Sequence, residues 1–338
     1  MELRGKLPPG LLREVVLDSL PPLDDRVLVG PSVGEDAAVI DYGDRVLVVH
    51  SDPITGAVRN IGWLAVHIAC NDVATQGARP LWILPVVLVP PGWGVEGLRA
   101  IVSDIRRATE ELRVSVVGGH TEFTPGIDRP ILAVTVLGEA PRDRYVTTSG
   151  CRPGDLIILT KGLAIEGAAI IASEMEEELA GVLGRGVVEE AKGLIRMISV
   201  VEDALTAVSA GGVHAMHDPT EGGVAGGLQE LAIASGVGVV AYEERMPMHP
   251  AARRVLEAVG ADPLTTISSG SLLIAADRGA ADGILASLRR RGIEARVVGE
   301  VVGDPGRRVV VRRDGSVLDL GGEVRDDLWR VLAPRLGG

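Results

Sequence analysis

The stretch from Ile61 to Pro80 constrains this chain more than any other, because it combines an apolar helical pattern with polar groups that buried helices usually avoid. The pattern predicts a helix from Gly62 to Gln76, and Gly77 with Pro80 ends it. The helix carries adjacent Asn71 and Asp72. The whole chain holds two Asn and two Gln, and three of these four amides lie in or beside this segment. The segment therefore predicts a site that uses amide and carboxylate groups.

The scarcity of amides has two explanations that the sequence leaves open. Two Cys, 20 Pro and a charge set rich in Glu and Arg resemble the composition of a thermophilic protein. High genomic GC content would equally favour Arg, Gly, Ala and Val. Under either explanation, the few amides that remain mark positions where an amide group is needed.

Composition also excludes several classes of protein. At 338 residues and 46% hydrophobic content the chain is long enough for two domains with a core in each. A net charge of -12 and an aromatic content of 2% argue against nucleic-acid binding, which needs a basic face and stacking platforms. The start of the chain lacks an apolar signal core, and its apolar runs are half a membrane span, which predicts a cytoplasmic protein. Two cysteines are too few for a disulfide framework.

Alternating strand and helix patterns predict an α/β fold with two units. A strand at residues 44–52 is followed by the Gly62–Gln76 helix, a strand at 80–89 and a helix at 95–112. The turn sequence from Gly150 to Asp155 precedes a fresh strand. We therefore predict domains at residues 1–149 and 150–338.

Four aspartates stand at or near the edges of predicted elements, where sites form. Asp36 follows Gly34 and Glu35 at a turn, and the sequence does not decide whether Glu35 or Asp36 is the ligand. Asp52 ends a strand, Asp72 lies in the amide-rich helix, and Asp218 opens the Gly-rich segment Asp218–Gly227 within an expected loop from Met216 to Gly227. Such carboxylates suit Mg²⁺, which takes one or two of them together with phosphate oxygens. Taken singly, each is better explained as a cap or a solvated turn.

A second polar segment, Gly118-Gly119-His120-Thr121-Glu122, follows an apolar strand. The two glycines allow the backbone to approach a ligand closely, and the next side chains are polar. No second His stands at the spacing of a zinc site, so zinc is excluded as a hypothesis. A Walker A loop, a kinase signature and a Gly-x-Ser-x-Gly elbow are also missing from these 338 residues.

Seven segments, in this order, resemble one superfamily, whose members are aminoimidazole ribonucleotide (AIR) synthase, the hydrogenase maturation factor HypE, selenophosphate synthetase and thiamine-monophosphate kinase. They are Gly34-Glu-Asp-Ala-Ala-Val, Ser51-Asp-Pro, Ile61-Gly-x-Leu-Ala-Val-His, Asn71-Asp-Val-Ala-x-x-Gly-Ala-x-Pro, Gly118-Gly-His-Thr, Arg152-Pro-Gly-Asp and Asp218-Pro-Thr-Glu-Gly-Gly. The resemblance is strongest to HypE and to HypE-like, AIR synthase-related proteins. Seven motifs at compatible spacing are far more specific than any one of them.

The resemblance implies an AIR synthase-like fold. Its N-terminal sheet pairs with that of a second subunit into a dimer-centred barrel, and its C-terminal α+β domain covers a cleft that binds ATP and Mg²⁺. Carried over by position, the metal or phosphate ligands are Asp36, Asp52, Asp72 and Asp218. The implied catalytic residues are Asp72, His120 and Asp218. The implied nucleotide-binding residues are Gly34, Asp36, Asn71, Gly118, Gly119, Thr121, Gly222 and Gly223.

The resemblance also implies a reaction. ATP phosphorylates an oxygen or selenium centre, and an amide oxygen is thereby converted into a leaving group. In HypE that amide is a thiocarbamate on the protein's own C-terminal Cys. The present sequence departs from this pattern, because its last eight residues contain no Cys. It also has His120 where HypE tends to have Asp, and Thr55-Gly-Ala-Val-Arg-Asn60 in place of a Phe-Pro-Gly-Gly segment.

Three hypotheses therefore stay open at the level of sequence. The chain is an ATP-dependent HypE-like enzyme acting on a small molecule or a maturation partner protein. Alternatively, it is a small-molecule ligase or kinase nearer to AIR synthase or thiamine-monophosphate kinase. As a third alternative, it is a non-catalytic nucleotide-binding homodimer that acts as an assembly partner.

Overall fold

The computed structural model of the protein describes residue 7 and residues 9–55 and 58–336. The segment Thr55–Asn60, where the sequence differs from the HypE pattern, is described except for residues 56 and 57. Residues 337 and 338 at the C-terminal end also lie outside the described residues. The chain divides into two compact units. The N-terminal unit comprises Asp24–Gly30 and Asp36–Tyr145, and the C-terminal unit comprises Pro31–Glu35, the residues from Val146 onward and the segment that ends at Leu23.

Residues 9–19 form three short helical segments. They are α1 (Pro9–Leu11), Leu12–Val16 and Leu17–Ser19. None of the helices among the described residues has the length and apolar character needed to cross a membrane.

The N-terminal unit contains seven strands and two long helices. They are β1 (Val27–Val29), β2 (Ala38–Asp41), β3 (Arg45–Ile54), α2 (Ile61–Thr75), β4 (Arg79–Val89), α3 (Gly94–Leu112), β5 (Ser115–Val116), β6 (His120–Phe123) and β7 (Ile131–Pro141). The strands form one sheet in the order β1-β2-β3-β7-β4-β5, and β6 also pairs with β4. The central β3, β7 and β4 are antiparallel neighbours, while β5 and β6 run parallel to β4.

Helix α2 is the centre of this unit, because every one of its residues is buried. It packs on β3, β7 and β4 and against α3. Two glycines permit the close approach. A Cβ atom on Gly62 would lie 2.5 Å from the carbonyl oxygen of Ile101 in α3, and one on Gly138 of β7 would lie 2.5 Å from Cγ1 of Val73. The α2 surface that meets the sheet and α3 therefore has no room for larger residues at these two positions.

The C-terminal unit contains the remaining strands and helices. They are β8 (Leu156–Thr160), α4 (Ile165–Glu174), α5 (Glu176–Leu183), α6 (Arg185–Gly193), α7 (Val201–Ala210), β9 (Val213–His217), α8 (Gly223–Ser235), β10 (Gly238–Tyr242), α9 (Pro250–Val259), β11 (Leu273–Ala276), α10 (Ala281–Arg290), β12 (Ala295–Val302), β13 (Arg308–Val311), β14 (Val317–Asp319) and α11 (Asp327–Leu336). Short helical turns occur at Thr148–Gly150, Leu194–Met197 and Glu243–Arg245.

The second sheet has the strand order β14-β13-β10-β12-β8-β11-β9. Helix α8 packs on β9, β10, β11 and β13, and α4 packs with α5, α6 and α9. The structure corrects the expected loop at residues 216–227, because β9 runs to His217 and α8 begins at Gly223. Three glycines of the expected loop, Gly223, Gly226 and Gly227, therefore lie in the first turns of a helix.

We expect Gly62→Ala to destabilise the protein, because the added methyl group meets a backbone carbonyl of α3 that has little freedom to move. The expected loss is about 1–3 kcal/mol in the free energy of unfolding, measured by urea denaturation. Gly181→Ala is the matched control, since Gly181 is also helical but has no neighbour within 4 Å of the added atom. That control should gain up to about 1 kcal/mol from helix propensity. Equal effects of the two substitutions would contradict the packing described for α2.

Candidate functional site

A histidine links two of the predicted site residues within the N-terminal unit. Nε2 of His50 lies 3.3 Å from Oδ2 of Asp72, and Nδ1 of the same ring makes a short hydrogen bond to the main-chain oxygen of Asp36. Asp36 and Asp72 are both buried, and His50 is about one-fifth exposed, at 19%. The ring therefore fixes the Asp72 carboxylate relative to the segment that carries Asp36.

Asp52 joins this group through the geometry of β3. Side chains of a strand alternate between the two faces of the sheet, so His50 and Asp52 share the face of the buried Val46 and Val48. Helix α2 packs against β3. The predicted ligands Asp36, Asp52 and Asp72 therefore belong to one corner of the N-terminal unit.

Asn71 and Asp72 lie in the last turns of α2, where neither is more than 8% exposed. The hydroxyl of Thr75 donates a hydrogen bond to the Asp72 carbonyl oxygen at 2.7 Å, which closes the end of the helix. The side chains of Asn71 and Asp72 are held on a rigid element, as a precisely positioned ligand requires.

The segment at Gly118–Thr121 divides between the two faces of the sheet. Strand β6 runs beside β4 with His120 opposite Val86 and Thr121 opposite Val87. Val87 is opposite Leu132, which is opposite Ile54, so Thr121 lies on the same face as Asp52. Three strand spacings, about 14 Å, separate Thr121 from Ile54. His120 is directed to the opposite face.

The ring of His120 is exposed and contacts Glu122, with Nε2 at 3.1 Å from Oε2. Thr124 donates a second hydrogen bond to the same carboxylate at 2.7 Å. These hydrogen bonds, the one from His120 being the larger effect, hold the pKa of Glu122 below its usual value. Gly119 has φ +138°, and a Cβ there would lie 2.2 Å from the Pro85 carbonyl oxygen, so packing alone requires glycine at this position.

Glu35 and Gly34, in the C-terminal unit, both contact distant segments of that unit. The Glu35 carboxylate accepts hydrogen bonds from the backbone N–H groups of Ser149 at 3.1 Å and Thr148 at 3.2 Å. Gly34 has φ +87°, and a Cβ there would lie 3.1 Å from the carbonyl oxygen of Glu230 in α8. Glu35 is thus committed to the backbone of the 148–149 turn.

Asp218 follows β9 directly and is 1% exposed. Its neighbour His217 places Nε2 2.8 Å from Oε2 of Glu230, which ties the end of β9 to α8. Gly222 and Gly223 both have positive φ, at +88° and +62°. A Cβ on Gly223 would lie 2.6 Å from the carbonyl oxygen of Leu264, so this turn also requires glycine for packing.

The N–H groups at the start of α8 already have partners inside the protein. Gly222 N–H donates to Oδ2 of Asp326 at 2.7 Å, Gly223 N–H to the Thr220 carbonyl oxygen at 3.0 Å, and Ala225 N–H to the Leu264 carbonyl oxygen at 2.9 Å. Burial raises the pKa of Asp326 to about 6, although three backbone N–H groups oppose that shift. The carboxylate therefore remains ionised at neutral pH.

The sequence analysis missed two residues that contact the predicted site residues, His50 and Asp326. His50 had a signal, because it stands two residues before Asp52 on a predicted strand and so shares its face. Asp326 had none, since its contact with Gly222 joins residues 104 positions apart.

The two cysteines are both buried and free. Burial raises the pKa of the Cys70 thiol far above its usual value, and the adjacent Asp72 charge adds to this. Burial likewise raises the pKa of Cys151 to about 11. Neither thiol has the exposure or the acidity of a reactive cysteine.

Comparison with known proteins identifies the class to which this arrangement belongs. Residues 34–140 match the model of the AIR synthase related protein N-terminal domain, and residues 152–312 match that of the C-terminal domain. The chain belongs to the AIR synthase related protein family.

Among its relatives, a putative hydrogenase expression/formation protein of Methanocaldococcus jannaschii is 28% identical, over 87% of this chain and 88% of that protein. A carbamoyl dehydratase HypE of Cupriavidus necator is 32% identical, over 75% of this chain and 71% of that protein. The sequence resemblance to HypE is thereby confirmed.

Solved structures confirm the predicted AIR synthase-like fold. Escherichia coli HypE superimposes with a TM-score of 0.72 at 27% identity, covering 82% of this chain and 86% of that chain. A HypE structure in complex with ATP gives a TM-score of 0.72 at 23% identity, covering 95% of this chain and 96% of that chain. At that lower identity the likeness concerns the fold alone.

Burial of both thiols predicts that the native protein resists alkylation. At pH 8, a thiol with a pKa of about 11 is ionised in roughly one molecule in a thousand, and only the thiolate reacts. We expect iodoacetamide to modify neither cysteine in the native state and both in urea, as measured by intact mass. Native modification at the rate of a free peptide thiol would contradict the burial of these side chains.

Proposed function

We propose that this protein is an ATP-dependent enzyme of the HypE type that transfers a phosphoryl group to an amide or carbonyl oxygen. Relatives named as carbamoyl dehydratases and the fold shared with an ATP-bound HypE structure support the proposal. The observation that carries it is the His50 bridge between the Asp72 carboxylate and the Asp36 main chain. A purely structural helix has no need of a carboxylate held in this way.

The acidic corner of the N-terminal unit fits Mg²⁺. Asp36, Asp52 and Asp72 offer hard carboxylate oxygens, which Mg²⁺ prefers, and the one neighbouring soft ligand, Cys70, is kept protonated by burial. With the Glu35 carboxylate engaged by backbone N–H groups, we assign the ligand role to Asp36. A metal held there would neutralise the charge of triphosphate oxygens. Asp218 keeps the ligand role that the family resemblance implies.

The remaining predicted residues have positioning roles in this proposal. Asn71 orients Asp72 or a phosphate oxygen from the rigid end of α2. Gly118 and Gly119 bring the backbone near the nucleotide, and Thr121, on the same face as Asp52, supplies a hydroxyl. The catalytic role of His120 stays a prediction that this corner does not support, because its side chain is directed to the face opposite Asp52. Catalysis of this kind consists mainly of positioning and charge neutralisation.

We infer that the phosphate acceptor is carried by another molecule. The burial of Cys70 and Cys151 leaves no accessible thiol among the described residues to carry a carbamoyl group. The same observation favours a second candidate function, that of a small-molecule kinase or ligase. ADP release measured with a carbamoylated maturation partner and with small amides separates the two candidates.

We expect saturating Mg-ATP to stabilise the protein by about 2.7 kcal/mol at a hundred times its dissociation constant. Asp72→Asn removes one charge with little change of shape, so Mg-ATP affinity should fall at least about tenfold while the melting temperature changes little. Thermal unfolding and isothermal titration calorimetry measure the two quantities.

Asp128→Asn is the matched control, because Asp128 is an exposed aspartate of the same unit whose partner is its neighbour Arg129. It should leave both quantities unchanged. A destabilised Asp72→Asn protein with normal Mg-ATP affinity would assign Asp72 a structural role instead. A melting curve of the unmodified protein that Mg-ATP does not move would falsify the proposed function.

We also propose that the N-terminal sheet pairs with a second copy of the chain. On β7 the residues alternate between buried and half-buried, and β4 follows the same pattern from Ile83 onward, so the face away from α2 is mostly apolar and only partly covered. On that face Trp82 of β4, which pairs with Leu137 of β7, is 36% exposed. An apolar patch of this kind on a sheet marks an interaction surface, and the family resemblance points to a homodimer.

Light scattering at micromolar concentration should therefore give the mass of a dimer. Trp82→Glu places a charge on the apolar face and should shift the protein toward a monomer, because burying an unpaired charge is costly. Tyr42→Glu is the control, since Tyr42 is 71% exposed in the turn between β2 and β3 and should leave the dimer intact. A monomer mass for the unmodified protein contradicts this proposal.

A further inference from the structure

The segment Leu320–Trp329, here called the C-terminal latch, is hydrogen-bonded to the loop and helix that follow Asp218. Near its start, the amide of Gln229 donates to the carbonyl oxygens of Leu320 and Gly322 at 2.5 and 2.6 Å. At its end, Nε1 of Trp329 donates to Oε1 of Glu221 at 3.0 Å. The latch therefore spans the loop from the turn at Glu221 to the second turn of α8.

Asp326 forms the central contact of the latch. Its carboxylate is 9% exposed and accepts the Gly222 N–H through Oδ2 at 2.7 Å and the Leu328 N–H through Oδ1 at 2.8 Å. One side chain thus joins the latch to the turn at Gly222.

The Gly222–Gly223 turn depends on this contact. Both residues have positive φ, and the turn is left with an unsatisfied buried N–H if the carboxylate is removed. Asp218 lies four residues before Gly222 in the same short loop between β9 and α8. A change in the turn is therefore transmitted directly to the backbone that carries Asp218.

The contact between Asp326 and Gly222 also occupies an N–H group at the start of α8 that could otherwise bind an anion. A helix N-terminus attracts anions through its free N–H groups, but those of Gly222, Gly223 and Ala225 already have partners. The ionised Asp326 is itself an anion at this position. The Asp326 carboxylate therefore compensates the partial positive charge at the N-terminus of α8. The role left for this helix start is to position Asp218.

We propose that Asp326, supported by the Trp329 contact with Glu221, is a positioning residue that sets the loop carrying Asp218 for metal-dependent nucleotide binding. The inference rests on the proposed function for its ligand, Mg-ATP. It goes beyond that function by assigning a role to the C-terminal latch.

The test compares Asp326→Asn and Trp329→Phe with the unmodified protein. In Asp326→Asn, one acceptor oxygen is replaced by an NH₂ group that faces an N–H donor. In Trp329→Phe, the Nε1–H donor is lost while an aromatic side chain is kept. Asp304→Asn is the matched control, because Asp304 accepts the Gly306 N–H at 2.9 Å in an exposed turn outside the latch. Each variant is measured for nucleotide affinity with Mg²⁺ and with EDTA by calorimetry, and for amide hydrogen exchange.

We expect Asp326→Asn to lower Mg-ATP affinity about tenfold and Trp329→Phe about threefold, with little effect on ATP affinity in EDTA. Exchange should become faster at residues 218–227 in both variants and stay unchanged in the control. A merely structural contact would lower both affinities equally, which overturns the inference. Unchanged exchange at residues 218–227 in both variants also overturns it, whether or not the protein binds nucleotide. Absence of Mg-ATP binding by the unmodified protein, with faster exchange in the variants, rejects the proposed function and keeps the latch as a structural device.

Discussion

The burial of helix α2 is the constraint on which the N-terminal unit depends. Because all of its residues are buried, each polar group on the helix must find a partner inside the protein or bind a ligand. His50 contacts Asp72, and Thr75 contacts the Asp72 carbonyl oxygen. An apolar helix would pack at least as well, so retention of Asn71 and Asp72 at this depth is best explained by function. Burying a carboxylate and an amide costs free energy unless they bind a partner, and the proposed metal site supplies that partner.

The two units position polar residues by different means. In the N-terminal unit, the pleat of β3 and the fixed end of α2 place the carboxylates, and rigid elements carry them. In the C-terminal unit, Asp218 lies on a loop, and glycine packing together with the Asp326 carboxylate determines the path of that loop. A loop residue needs such support because its own backbone has few ladder hydrogen bonds.

Several expectations from sequence succeeded because they depended on local pattern. The amphipathic period placed α3 within one residue of its observed bounds. The HypE-like fold was recognised because its motifs are local and occur in order. Elements whose identity depends on neighbours were missed, including the short β6, the strand β9 and the helix α9. The Gly-rich stretch at Gly223–Gly227 was expected to be a loop, yet it is helical. Packing explains its glycines, since a Cβ on Gly223 would lie 2.6 Å from the Leu264 carbonyl oxygen and one on Gly227 2.8 Å from Cβ of Pro219.

The sequence by itself determined the period of each long element, the acidic and amide residues of the candidate site, and membership of a family with two α/β units. These are properties of residue type and spacing along the chain. Only the tertiary structure decided that His50 joins Asp36 to Asp72, that Glu35 is committed to the turn at residues 148–149, and that Asp326 holds the Gly222 turn. Each of these contacts joins residues far apart in sequence, and the partner of a polar group is selected by packing of the surrounding elements, which no local pattern encodes.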